Sequence, residues 1–299
     1  MSGFILTKKI NNKIRAIDRN IADLNDQKQF YHEFLELYSN LNKTTISNLL
    51  DLKRKYMVFA ALYGCIEIIK FIIEKFPEGD NDIDIITDAL FNAIDSNHMD
   101  IVKYLIRMNP KLEFDKDDGL DIVFTAIENG NLEIVKYLVS VKKIDFNKSY
   151  GPGKTTALHE ASLHGHLNIV KYLVEECSCD VNAKNDYGET PMFLAIENCN
   201  VEVIKYLVEE CHCDVNVKNK DGEAPIFGAL LYGGNDRINR HISYSEILDT
   251  IKYLVEKCNY DINTKDKEGY TILDDIIGLP YGCVGNITKY LLEHGAKKA

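Results

Sequence analysis

An apolar residue, a lysine, an aromatic residue and a second apolar residue recur along the chain at Ile69-Lys70-Phe71-Ile72, Val102-Lys103-Tyr104-Leu105, Val135-Lys136-Tyr137-Leu138, Val170-Lys171-Tyr172-Leu173, Ile204-Lys205-Tyr206-Leu207 and Ile251-Lys252-Tyr253-Leu254. Thr288-Lys289-Tyr290-Leu291 adds a seventh copy with Thr in the first place. The aromatics are separated by 33, 33, 35, 34, 47 and 37 residues. Apolar spacings of three and four around them, as in Leu167, Val170, Leu173 and Val174, predict an amphipathic helix in each unit. A regular period of this length marks a stack of short supersecondary units, each unable to bury its apolar face alone.

A second, shorter helix is predicted upstream of each of these. In Leu158-His159-Glu160-Ala161-Ser162 small residues allow close packing against a neighbouring unit. A glycine then ends the helix at Gly64, Gly130 and Gly165, always seven residues before the aromatic, because the tight turn requires positive φ. Asn97 takes that place once and tolerates the conformation, whereas Cys199 predicts mild strain or a shifted turn. After the second helix, Asp180-Val181-Asn182, Asp214-Val215-Asn216 and Asp261-Ile262-Asn263 open an extended turn that reaches Gly188, Gly222 or Gly269 before the next unit.

Thr156-Ala157-Leu158-His159-Glu160-Ala161, Gly165-His166, Thr190-Pro191-Met192-Phe193-Leu194-Ala195 and the Asp-Val-Asn turns together resemble the ankyrin repeat family. The resemblance spans about seven units over residues 52–299 and is closest in the fourth and fifth. The first two units lack the Thr-Pro start, and the seventh has Asp274 where the family usually has His. It implies an all-α fold: a solenoid of helix-turn-helix units with short hairpin turns, preceded by an N-terminal helical segment. Two domains are expected, a cap or partner-recruiting segment at 1–51 and the repeat domain at 52–299, with an insertion at 233–246.

That insertion, and a shorter one from Leu279 to Gly285, lengthen the turn between paired helices and are expected side by side on the edge away from the hairpin tips. In the N-terminal segment Ile10, Ile14, Ile17, Ile21 and Leu24 are spaced 4-3-4-3 on one helical face, and Phe30, Phe34, Leu35, Leu37, Tyr38 and Leu41 follow. A solenoid end needs covering, so a helical cap is the expected role. A partner-binding helix or short coiled coil is the alternative, although fewer than three heptads are present.

Charge divides the chain. Residues 1–55 hold ten Lys and Arg against six Asp and Glu, a charge of +4, and the rest holds 25 against 40, a charge of −15. Such a body repels nucleic-acid phosphates and anionic membrane, so neither is expected as a partner. No apolar run is long enough to span a membrane, and residues 1–10 lack a secretory signal pattern. Eight cysteines in 299 residues fall short of a disulfide scaffold, and a cytoplasmic monomer with reduced thiols is expected, in a host cytoplasm if the chain is an effector.

Three motifs invite chemistry. Gly153-Lys154-Thr155 matches the end of a phosphate-binding loop, but Lys148 stands where the first glycine belongs, and a repeat-connecting turn is expected instead. Cys177-Ser178-Cys179 and Cys211-His212-Cys213 repeat one unit apart and are weak candidates for a zinc site; the spacing is unusual for zinc, and cysteine also serves as a small hydrophobe at a helix end. His159 and His166 coincide with the resembled family's own histidine positions and are read as structural. No catalytic residue and no cofactor is expected, and the Lys-Tyr column is read as a partly buried face of the second helices.

The expected function is therefore a non-catalytic protein-binding scaffold. The resemblance places the binding face on the concave groove and the hairpin tips, with Tyr63, Leu163 and Tyr232 as apolar anchors, Asp95, Glu128 and Glu197 selecting a basic or polar partner segment, and Asn129, His164, Asn198, Tyr187 and Glu189 extending the surface. The alternative is an adaptor, or a secreted or viral effector, that recruits a host enzyme system such as a ubiquitin ligase through residues 1–50.

Overall fold

Each predicted unit folds as a pair of helices in the computed structural model, which describes residues 32–34, 36, 46–75, 82–109, 112, 117–141, 144–149, 151, 153–232, 242–277 and 281–299. Fourteen helices are formed among them: α1 (Ile46–Leu62), α2 (Ile66–Lys75), α3 (Asp82–Asp95), α4 (Met99–Met108), α5 (Asp117–Glu128), α6 (Leu132–Val141), α7 (Ala157–Leu163), α8 (Leu167–Glu175), α9 (Pro191–Glu197), α10 (Val201–Glu209), α11 (Pro225–Tyr232), α12 (Tyr244–Cys258), α13 (Ile272–Ile277) and α14 (Tyr281–Glu293). Lys265 and Thr271 form an isolated antiparallel β-bridge. The chain is all-α, as the periodicity predicts.

It divides into two compact units, residues 1–125 and 126–299. In the first, α1 packs on both α2 and α3, and α3 on α4. Phe34 is buried against Tyr56 and Phe71 in edge-to-face contacts at 5.4 and 5.9 Å, and Glu33 pairs with Lys55 at 3.2 Å. The other residues of the two N-terminal apolar clusters lie outside the described residues.

In residues 126–299 the pairs stack in two layers, α7 on α9 on α11 on α13, and α8 on α10 on α12 on α14. The core runs between the layers. Ile169, Val170 and Leu173 of α8 are fully buried, each contributing about 1.5–3 kcal/mol relative to exposure. Asp-Val-Asn turns bind one unit to the next: the Asp180 carboxylate accepts from the Asn182 amide, while the Asn147 side-chain Oδ1 accepts from the Asp180 amide at 2.8 Å. Asn216 receives the Asp261 amide at 3.0 Å and Asn263 the Lys297 amide at 2.8 Å in the same manner. Each turn thus uses one side chain on itself and one on its neighbour.

Two expectations about the interruptions change. Residues 233–241 and 278–280 lie outside the described residues, but Ser243 caps α12 by accepting the Glu246 amide, and Tyr281 already begins α14. The second insertion is therefore largely helix rather than loop.

Candidate functional site

The ends of the first helices are shaped by one repeated device. Gly130 and Gly165 turn the chain at φ 71° and 75°, and the first residue after each turn on the next unit reaches back over the glycine. His166 Nε2 lies 2.7 Å from the Glu128 carbonyl oxygen, and Asn200 Nδ2 donates to the Ser162 and Leu163 carbonyls at 2.9 and 2.8 Å. These are helix C-terminal carbonyls with no intrahelical donor, so the clamp satisfies them while fixing unit on unit. Residues 1–125 repeat it with Gly64 at φ 69° and His98 Nε2 3.0 Å from the Leu62 carbonyl. Cys199 adopts the same turn at φ 53° with no shift, and Asn97 does so at φ 58°. The turn is imposed by the units on both sides, which overrides the local preference against it.

Beside these turns lie the residues expected to bind a partner, and the structure sorts them. Glu128 and Asn129 are exposed, Glu197 and His164 are half-buried, and Tyr187 is 49% exposed at a hairpin tip. Leu163 is a correction: it is 1% exposed and packs on Phe193, Leu194 and Val217, so it is core, not an anchor. Asn198 is another, fully buried with its amide on the Leu194 carbonyl at 3.0 Å. Glu189 is the third. It is 7% exposed, and its carboxylate accepts from Asn185 Nδ2 at 2.7 Å, bracing the tip from within. In residues 1–125, Asp95 is exposed, while Tyr63 is half-buried and stacked on Phe59 at 6.1 Å. The Tyr232 side chain lies outside the described residues.

At the third and fourth turns the side chains of Glu128, Glu160 and His164 converge, with one ligand-type atom of each within 4.8 Å of the others. Glu160 in α7 and His164 at its C-cap are one helical turn apart, so both point to the same side, 3.9 Å from each other. The His164 imidazole is pushed down to about 4, first by burial and then by the neighbouring His166, whose ring stacks on it at 6.0 Å and 5°. It is neutral at pH 7, so its approach to Glu160 is not an ion pair there.

The other motifs resolve into structure. His159 is fully buried: its Nδ1 accepts the Thr156 amide at 3.2 Å, which leaves Nε2–H to donate to the Glu189 carbonyl at 3.0 Å. Gly153-Lys154-Thr155 is a turn; the Gly153 carbonyl accepts the Asp186 amide at 2.8 Å and Lys154 pairs with Asp186 at 3.5 Å. The C-x-C motifs are helix terminations. Ser178 and His212 occupy the left-handed region at φ 53° and 55°, and the amides of Cys179 and Cys213 bond to the Leu173 and Leu207 carbonyls six positions back, closing the helix ends. Burial pushes the Cys179 thiol up to about 12 and the Cys213 thiol up to about 11. Cys258-Asn259-Tyr260 performs the same termination with Tyr260 in place of the second cysteine.

One pattern escaped the sequence reading. Lys136 lies over the Tyr172 ring at 5.6 Å, Lys171 over Tyr206 at 5.4 Å and Lys205 over Tyr253 at 5.9 Å, each lysine reaching the next unit. The Tyr206, Tyr253 and Tyr290 hydroxyls return to Glu175, Glu209 and Glu256 of the preceding unit at 3.0 Å each. The signal was present as Lys-Tyr-x-x-Glu in three consecutive units, but the pairing runs between units and only stacking reveals it. Among the described residues no helix is long and apolar enough to cross a membrane.

No curated protein matches the chain. Two overlapping stretches, residues 57–150 and 143–221, match the family described as "Ankyrin repeats (3 copies)". Ankyrin repeats are generally protein–protein interaction modules and typically non-catalytic. With more than half of its length matched and its helices arranged in consecutive pairs, the chain belongs to the ankyrin repeat family.

Proposed function

We propose that this protein is a non-catalytic scaffold that holds a partner protein on the face formed by the first-helix ends and hairpin tips of residues 126–299. The observation that carries the reading is Tyr187 and Tyr270, 49% and 50% exposed at the tips of a strongly acidic body. Half-exposed aromatics are enriched among interface anchors. Glu128 and Glu197, two turns apart, favour a segment bearing Lys or Arg, and electrostatics of this kind sets on-rate and choice of partner more than raw affinity. Tyr63 and Asp95 offer the same chemistry on residues 1–125.

The N-terminal segment, 1–51, is proposed as a cap on the first repeat, with the repeat domain beginning at 52; the buried Phe34 side chain supports a cap over a recruiting arm. Eight cysteines spread over 299 residues, too few for a disulfide scaffold, suit a reducing, cytoplasmic setting.

Selection of a random peptide library on the full chain tests the binding reading. Enriched peptides should carry Lys or Arg beside an apolar residue, and Glu197→Lys or Tyr187→Ala should weaken them about ten-fold, the loss of one interface anchor. Enrichment without basic residues, or binding indifferent to both substitutions, overturns it.

A further inference from the structure

We propose that Glu128, Glu160 and His164 form a binding site for a divalent first-row transition-metal ion, open to solvent on the Glu128 side. The site goes beyond the partner-binding reading and does not depend on it.

The donor set is mixed, two carboxylates and an imidazole, which suits zinc, manganese and iron rather than calcium, whose sites are built from oxygen alone. It is assembled by the stacking of units. Glu160 comes from α7 and His164 from its C-cap one helical turn later, and Glu128 arrives from the end of α5. The homologous places in the next unit are Leu194 and Asn198, both buried, so the three donors coincide at this junction and not at the following one.

The geometry is close to closure. Ligands about 2.0–2.2 Å from a tetrahedral zinc stand about 3.4 Å apart, and the three donor atoms lie within 4.8 Å of one another. The remaining movement falls to Glu128, the exposed member, while Glu160 and His164 are held with side chains only 14% and 22% exposed. His166 supports both sides: its ring stacks on His164, and its Nε2 bonds to the Glu128 carbonyl. A ligand ring braced by a neighbour and a backbone fixed by the same neighbour are what a metal site requires around its first ligands. Three protein ligands leave at least one coordination position for water or for a partner's side chain. A body of charge −15 raises the local concentration of any divalent cation.

The test uses the full chain, stripped with EDTA and titrated with Co2+ and with Mn2+. Co2+ distinguishes this site from the cysteines, because thiolate ligation adds an intense near-ultraviolet charge-transfer band that carboxylate and imidazole ligation lacks. One equivalent of Co2+ should bind with visible bands and no charge-transfer band, and Mn2+ should compete for it. Glu128→Gln keeps the size of an exposed side chain and removes its charge, and His164→Asn places there the residue that the preceding and following units carry as Asn129 and Asn198. Each should weaken binding at least ten-fold with the helical circular dichroism unchanged. No saturable binding, binding that both variants retain, or a charge-transfer band removed by Cys177→Ser and Cys211→Ser overturns the assignment.

Discussion

The His166 ring occupies the space into which a Gly130 side chain would grow: an added Cβ would lie 2.7 Å from both Cε1 and Nδ1. The same holds between Gly165 and Asn200, where the nearest atom, Oδ1, would be 2.5 Å away. Glycine is needed at these turns twice over, for positive φ and for the approach of the next unit.

Gly165→Ala is therefore expected to lose more than the left-handed penalty of about 1–2 kcal/mol, because Asn200 must also leave the Ser162 and Leu163 carbonyls. Cys199→Gly makes the contrast. It relieves the strain at φ 53° but gives up a buried side chain and some chain entropy, so it should change stability by less than about 1 kcal/mol. Urea unfolding of both variants checks the pair, and equal losses would contradict the clamp.

Asp274 does in the seventh unit what His159 does in the fourth. Its carboxylate accepts the Thr271 amide and hydroxyl at 2.9 and 2.8 Å and the Ala299 amide at 2.9 Å, and these donors hold its pKa below the usual carboxylate value. A depressed folded value means that its contribution is present above the unfolded pKa of about 3.9 and is lost as pH falls through the lower folded one. Asp275 behaves oppositely, raised by burial and then by Asp266, so its ionisation opposes folding as pH rises. The Thr271 and Ala299 amide shifts, followed by NMR, should titrate together with a midpoint below about 3.9, and Asp274→Asn should abolish that titration. A midpoint at or above that value would count against the bonding.

Much of this was legible because the repeat makes its own alignment. The aromatic spacing placed Gly130 and Gly165, and through them the first-helix ends. The exposure of residues beside those turns was not legible. Leu163 and Glu128 occupy equivalent places, yet one is core and the other solvated, because Phe193 and Leu194 of the next unit cover the first. Glu189 read as a tip charge, while its carboxylate turns inward to Asn185. Periodicity reports which position a residue holds; what stands over it depends on the adjoining unit's side chains.

The lysine, tyrosine and glutamate bracket should behave as a coupled pair across units. Tyr206 donates to Glu175 at 3.0 Å, and desolvation followed by that bond raises the phenol's pKa, keeping it a neutral donor at physiological pH. Glu175 is exposed, so the coupling is set by a solvent-screened hydrogen bond. A double-mutant cycle of Tyr206→Phe and Glu175→Gln is expected to give about 0.5–1 kcal/mol. Strictly additive losses would mean that the bond contributes nothing to stacking.

Thiol reactivity separates the cap reading of the cysteines from a redox one. Cys177, Cys211 and Cys258 each lie in hydrogen-bond contact with the tyrosine five residues earlier, which lowers the thiol pKa, but burial outweighs it and the net shift is upward. Cys179 and Cys213 are pushed higher still, to about 12 and about 11. Only the thiolate attacks, so at pH 7.5 every one of these should alkylate more slowly than an unperturbed thiol of pKa about 8.5. Cys179 and Cys213 should be slowest, being buried as well. Iodoacetamide labelling resolved by peptide mass spectrometry gives the order directly. A cysteine of either C-x-C motif that labels faster than a free thiol would require a stabilised thiolate, and helix termination alone would then not account for the motif.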